Sequence, residues 1–388
     1  MKLRLIRIPA LLILSVLPGL AQQPAEQSGA ARLPAGVKAH RDLAYVTGGH
    51  ERQKLDLYLP EKTGKPLPVV IWIHGGGWQS GSKGNCPPVR QGFLERGYAV
   101  ASIGYRLSGD AIFPAQIEDC KAAIRWLRAH ARDYDLRPDR FGVWGSSAGG
   151  HLAALLGTSG GVKEFEVGAH LDVPSRVQAV CDYFGPTDLL QMDAHALPNS
   201  RLIHDAPSSP ESLLIGGPIQ QLQGKAARAN PIAYVTADDP PFLIVHGNAD
   251  PLVPPHQSEL LYEALKQADV KVRLHIIKGA GHGQGFGWRE IDEMVNSFFD
   301  RCLKGTPSSP ATMGATRTES VASNQPAAPS GSPQAQGQRF TFEQIRSRED
   351  ANGDGRVPRE EFKGPPPLFD RLDRNHDGVL TKEDFDDP

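Results

Sequence analysis

Residues 140–157 read RFGVWGSSAGGHLAALLG: an apolar run, a turn of glycines and serines, then an apolar helical stretch. A continuous apolar run is the pattern of a strand buried on both faces, which occurs in parallel sheets covered by helices. The pattern recurs. QKLDLYLP (53–60) alternates with period two. PVVIWIH (68–74), YAVASIGY (98–105), VQAVCDYFG (177–185), PPFLIVHG (240–247) and VRLHIIKG (272–279) also read as strands. Between them, 114–134, 255–269 and 288–303 carry apolar residues at helical spacing. Strands alternating with helices predict an α/β fold, a mostly parallel sheet with helices on both faces, over residues 38–304.

A hydroxyl presented at a sharp strand-to-helix turn needs small neighbours two residues before and two after it, because strand and helix converge there. Ser147 has Gly145 and Gly149 at those places, whereas Ser146 has Trp144 and Ala148. Ser147 is therefore the candidate nucleophile. HGGGW (74–78) follows an earlier strand, and a glycine loop lets backbone N–H groups approach a developing oxyanion. A serine nucleophile also needs a base and a carboxylate, expected in the order Ser, Asp/Glu, His. Asp250 in HGNADPLVPP and His282 in KGAGHGQGFG follow the next apolar strands and satisfy that order. The rivals are Asp188 in GPTDL, which could cap a helix, and His246, His256 and His275. Trp78 fits either a pocket wall or simple packing, and 187–235, rich in Pro and Ser, fits a cap over the site or a surface excursion.

These motifs, with GYRL (104–107), resemble the α/β-hydrolase superfamily. They are most similar to secreted carboxylesterases of the bacterial acetyl-xylan/feruloyl esterase group, which are related to hormone-sensitive-lipase-like esterases. The resemblance covers about 38–304. It implies Ser147 as nucleophile, His282 as general base, Asp250 as its orienter, and an oxyanion hole from the N–H groups of Gly76, Gly77 and Ala148. It implies ester hydrolysis with no catalytic cofactor. Gln284-Gly285-Phe286 departs from one related pattern after the histidine. A serine peptidase or amidase on the same fold shares the triad and stays open. So does a non-catalytic, calcium-dependent binding protein.

The ends of the chain carry separate signals. Lys2, Arg4 and Arg7 precede the apolar IPALLILSVL, and Gly19 and Ala21 precede Gln22, the pattern of a signal peptide over 1–21. This predicts a secreted or periplasmic protein. The apolar core is too short to span a bilayer, and no transmembrane segment is expected. Residues 22–37 read as a flexible lead-in. Export raises the question of Cys86, Cys120, Cys181 and Cys302, whose pairing sequence does not decide. A net charge of −2 gives no electrostatic case for nucleic acid.

Residues 305–338 are a Pro/Ser/Ala/Gly stretch expected to be a disordered linker that uncouples the C-terminal module from the rest. Residues 339–388 hold nine Lys/Arg against thirteen Asp/Glu. DANGDGRVPREE (350–361) places Asp350, Asn352, Asp354, the Arg356 carbonyl and Glu361 at positions 1, 3, 5, 7 and 12 of a calcium loop, with Gly355 at 6. DRNHDGVLTKED (373–384) repeats this with Asp373, Asn375, Asp377, Gly378, Thr381 and Asp384. The tandem resembles an EF-hand pair, which implies structural Ca2+. Pro358 at position 9, Asp384 in place of a longer Glu, and GPPP (364–367) between the loops are departures.

Overall fold

The computed structural model describes residues 33–61, 64–305 and 316–321, and, in the C-terminal stretch, residues 342, 346, 350, 354–362, 372, 373, 375 and 377–385. The expected signal peptide, most of the lead-in and Asn352 lie outside the described residues. Among those described, no helix is long and apolar enough to cross a membrane.

The strands are β1 (Val37–Ala44), β2 (Lys54–Pro60), β3 (Leu67–Ile73), β4 (Ala99–Ile103), β5 (Leu136–Ser146), β6 (Ala179–Tyr183), β7 (Phe242–Gly247), β8 (Val272–Lys278) and β9 (Thr316–Val321). They form one sheet in the order β1-β2-β4-β3-β5-β6-β7-β8-β9. β1–β2 and β2–β4 are antiparallel, and every pair from β4–β3 to β8–β9 is parallel. The helices are α1 (Pro87–Arg90), α2 (Ala115–Ala129), α3 (Ala148–Thr158), α4 (Pro210–Ile215), α5 (Gln223–Ala229), α6 (His256–Gln267) and α7 (Arg289–Phe299). This is the mostly parallel α/β architecture expected from the alternating pattern, and the one that the motif resemblance implies.

The central strands are apolar on both faces because helices cover both: every residue of β3, β4, β6 and β7 is buried. Parallel register then places the site. Ile73 pairs with Gly145, Ser146 with Tyr183, Tyr183 with Val245, and Gly247 with Ile277. The loops that leave β3, β5, β6, β7 and β8 therefore emerge along one edge, where α/β sheets bind ligands.

Two strands went unread in the sequence. β1 is half-exposed and lacks a clean alternation. β9 corrects the linker expectation, since 316–321 lies inside 305–338. Its TRTESV has no apolar stripe, and polar side chains pin it to β8. Thr318 Oγ1 lies 2.8 Å from His275 Nδ1, Ser320 Oγ lies 3.0 Å from His275 Nε2, and Arg273 reaches Thr318 Oγ1 at 3.1 Å. Lys278–Glu319 and Arg317–Glu259 ion pairs flank them.

In the C-terminal stretch, β10 (Val357–Pro358) pairs antiparallel with β11 (Val379–Leu380), Val357 opposite Leu380. Both residues are eighth in their calcium-type loops, so the two loops are joined as a pair. Val357 and Leu380 are buried with Phe342, against Phe362, Leu372 and Phe385. All four cysteines are free thiols. Burial pushes Cys86 up to about 12 and Cys302 up to about 11, which keeps both protonated.

Candidate active site

Ser147 joins β5 to α3 with φ +56° and ψ −124°, a strained conformation for a residue with a Cβ. Its backbone N–H donates to the Tyr183 carbonyl at 2.8 Å, and its carbonyl accepts from His151 N–H at 3.0 Å. The hydroxyl does not cap α3. A Cβ on Gly145 would fall on the Gly149 carbonyl, and one on Gly149 would fall on the Ile73 carbonyl. The small-residue pattern is thus a consequence of β3, β5 and α3 meeting there. Ala148 opens α3, so its N–H is among the amides with no partner inside the helix.

The 74–78 loop lies alongside. A Cβ on Gly75 would stand 3.3 Å from Ser147 Cβ. Gly76 and Gly77 have φ +113° and +59°. The loop is braced from GYRL: Tyr105 stacks on His74 at 4.4 Å, and its hydroxyl donates to the His74 carbonyl at 2.9 Å. Burial lowers His74 to about 4, so it stays neutral. Trp78 is buried edge-on against His151 at 5.1 Å, which is packing rather than an exposed pocket wall.

Asp250 and His282 leave the ends of β7 and β8. Asp250 Oδ1 accepts from the Leu252 and Val253 amides at 2.8 and 3.0 Å, and Oδ2 lies 2.7 Å from His282 Nδ1. Burial alone would raise the Asp250 carboxyl. Hydrogen bonds from His246 and His282 outweigh it and hold the group well below the usual carboxylate range. An ionised carboxylate only accepts, so His282 Nδ1 carries the proton and Nε2 presents a lone pair. That is the tautomer a general base requires. His282 is 20% exposed, whereas Asp250 is closed to solvent.

The rivals have other partners. Asp188 accepts from Leu190 N–H at 3.1 Å and Gln191 Nε2 at 2.6 Å, capping a 3-10 turn. His275 holds β9, and His256 faces Glu259 at 3.2 Å. His246 is buried behind Asp250, its Nε2 3.0 Å from the Val253 carbonyl and 3.3 Å from Asp250 Oδ2. Three supporting residues escaped the sequence reading: Tyr105, His246 and Phe184. Phe184 follows the Tyr183 that binds Ser147 and packs on the His282 ring at 4.5 Å. Only Tyr105 lies in a recognisable motif, GYRL, and no local pattern marks the other two.

The calcium-type loops keep their turn. Gly355 and Gly378 have φ +80° and +83° and donate to Asp350 and Asp373 at 2.9 and 2.8 Å. Asp354 accepts from Arg356 N–H, Asp377 from Val379 N–H, Asn375 Oδ1 from Asp377 N–H, and Asp384 from Thr381 N–H. Glu361 lies in the turn after Pro358. The oxygen donors and sixth-position glycines fit a hard cation. Among the described residues no three acidic, histidine or cysteine side chains converge as a metal cluster.

Comparison with known proteins gives the family. Residues 55–265 match the BD-FAE family, and 367–387 match the EF hand. Esterase LipQ of Mycobacterium tuberculosis is 33% identical over 261 residues, covering 64% of this chain and 60% of LipQ. The chain thus spans about three fifths of the length of that relative. A solved truncated carbohydrate esterase from gut microbiota is 33% identical with TM-score 0.62, covering 69% of this chain and 96% of the other. An acetyl ester-xyloside bifunctional hydrolase from Caldicellulosiruptor lactoaceticus is 26% identical with TM-score 0.52, covering 65% and 86%. The kinship is with carboxylic ester hydrolases.

Proposed function

The chain belongs to the BD-FAE family, and on that premise we propose that it is a secreted serine carboxylesterase of short-acyl or carbohydrate esters, such as acetyl or feruloyl esters of xylan. The observation that carries the reading is the 2.7 Å Asp250–His282 bond, at the sheet edge where Ser147 stands on a strained turn beside the glycine loop.

His282 Nε2 takes the proton of Ser147 Oγ as Oγ attacks the ester carbonyl. The N–H groups of Gly76, Gly77 and Ala148 hold the oxyanion. The tetrahedral intermediate collapses, the C–O bond to the alcohol breaks, and His282 returns the proton to the leaving oxygen. A water then attacks the acyl-serine with His282 as base, releasing the acid and restoring Ser147. Asp250 keeps the tautomer and stabilises the imidazolium.

The carbohydrate part of the reading is supported by the two structural neighbours named for carbohydrate or acetyl ester-xyloside substrates. Export rests on the 1–21 leader pattern. Calcium rests on the EF-hand match and on the loop oxygens of Asp350, Asn352, Asp354, Arg356 and Glu361, and of Asp373, Asn375, Asp377, Thr381 and Asp384. The ion supplies cross-linking of each loop.

The test is hydrolysis of p-nitrophenyl acetate by wild type and Ser147→Ala, followed by acetylated and feruloylated xylan. Turnover lost in a folded Ser147→Ala variant supports the reading. Equal turnover by both, or none by wild type on any ester, refutes it.

A further inference from the structure

We propose that Glu211 is a positioning residue: through its buried pair with His204 it holds helix α4, and with it Pro210, against the oxyanion loop at Gly77. The inference rests on the esterase reading.

Three glycines in a row give the 74–78 loop little stiffness of its own. Tyr105 braces it from one side. On the other side stands Pro210: a Cβ at Gly77 would lie 3.3 Å from Pro210 Cβ and 3.5 Å from its Cγ. Pro210 is the first residue of α4, a helix of six residues, too short to hold its own position. Its anchors are polar. Ser209 Oγ accepts from Ser212 N–H at 3.0 Å, Ser212 Oγ accepts from Ile219 N–H at 3.1 Å, and Glu211 Oε1 lies 2.9 Å from His204 Nδ1. His204 is itself pinned, its backbone N–H donating to Asp193 at 3.0 Å. Glu211 and His204 are both almost fully buried.

Among the described residues, the second oxygen of Glu211 has no hydrogen-bond partner, and neither has His151 Nδ1 nor Trp78 Nε1. These groups belong to α4, to α3 behind Ser147, and to the oxyanion loop. The Trp78 and His151 rings touch edge-on. Burial lowers His151 to about 4, opposed by its Ala229 carbonyl bond and by the charge of Glu211. His151 Nε2 lies 2.7 Å from that carbonyl and must donate, which leaves Nδ1 as an acceptor. A buried pair adds little net stability over an apolar substitute, and its best-supported use is to fix one geometry. Here that geometry is the placement of the oxyanion N–H groups.

The test compares Glu211→Ala, Glu211→Gln, His204→Ala and Pro210→Ala with wild type on p-nitrophenyl acetate, beside Ser147→Ala and a control in the same segment, Gln220→Ala. Gln220 donates to Asp205 at 2.8 Å and to the Leu190 carbonyl at 3.2 Å, and is not among the atoms nearest a Cβ at Gly77. A misplacement of about 1 Å costs about 100-fold, so Glu211→Ala and His204→Ala lower kcat by about 10- to 100-fold with KM nearly unchanged. Glu211→Gln, which still accepts from His204, restores most of kcat, and Gln220→Ala leaves it intact. Unchanged kcat at a temperature where the variants are folded overturns the proposal. So does a rise in KM alone, or no rescue by Gln. If neither pair-breaking variant folds, Pro210→Ala decides: a several-fold fall in kcat at constant KM supports the proposal, and no fall overturns it. Wild type that is inactive, or Ser147→Ala that stays active, refutes the esterase reading and this inference with it. An active wild type with a dead Ser147→Ala and normal Glu211 variants refutes the positioning role alone.

Discussion

Asp250→Asn tests the electrostatics of the proposed site with almost no change in shape. The native carboxylate accepts two backbone amides on Oδ1, and on Oδ2 it meets ring nitrogens of His282 and His246. An asparagine oriented to keep the Leu252 and Val253 bonds must turn its NH2 toward both imidazoles. His282 Nδ1 then becomes the acceptor and Nε2 carries the proton, so Ser147 faces a donor instead of a base. Loss of the correct tautomer in such a triad costs about 10⁴ in kcat, equivalent to about 5 kcal/mol of barrier. His246 cannot adapt in the same way. Its Nε2 must donate to the Val253 carbonyl, so the new NH2 stands donor against donor, a loss of about 1–3 kcal/mol in stability. The assay is kcat/KM on p-nitrophenyl acetate with thermal unfolding measured alongside. The expected result is a folded enzyme with lowered Tm and roughly 10⁴-fold less activity. Asp188→Asn, which touches only a 3-10 turn, should keep activity within about threefold. Asp250→Asn within tenfold of wild type would refute the assignment of Asp250.

Gly149→Ala drives a methyl into the Ile73 carbonyl and should cost at least ~2 kcal/mol, read as a fall in Tm, whereas Gly224→Ala, with open space around it, should be neutral or slightly stabilising. Asp182 is pushed up to about 6 by burial, with one oxygen lacking a hydrogen-bond partner among the described residues, so the folded state binds its proton more tightly than the unfolded chain does. Its contribution to stability is full below the unfolded pKa near 4 and is lost as pH rises toward 6. Asp182→Asn should therefore raise Tm more at pH 8 than at pH 4. Calorimetric titration of the full chain with Ca2+ should show weak binding, of the order of 10⁻⁴–10⁻³ M. Asp384→Glu should tighten the second loop, and chelation should leave p-nitrophenyl acetate turnover unchanged.

What the sequence made legible was whatever depends on local spacing. Gly145 and Gly149 flag Ser147 because three backbones converge on them, and the apolar strands put Asp250 and His282 in loops at one edge. Contacts between distant segments left no such trace. Tyr105 supports His74 from 31 residues away, and Phe184 packs on His282 from a different strand end. His246 looked like a competing base, and only the fold puts it behind Asp250. β9 was misread for a related reason: its partners Arg273 and His275 lie on β8, and a strand held by hydroxyls at a sheet edge carries no hydrophobic signature.

The pairing of β9 with β8 moves the last anchored residue before the calcium-type loops from Gly305 to Val321. Measured from Gly305, the 36 residues before Phe342 could reach about 130 Å at full extension. Measured from Val321, only 20 residues remain, about 70 Å. The anchored strand thus sets a smaller upper bound on how far the calcium-type loops can stand from the sheet edge that carries Ser147.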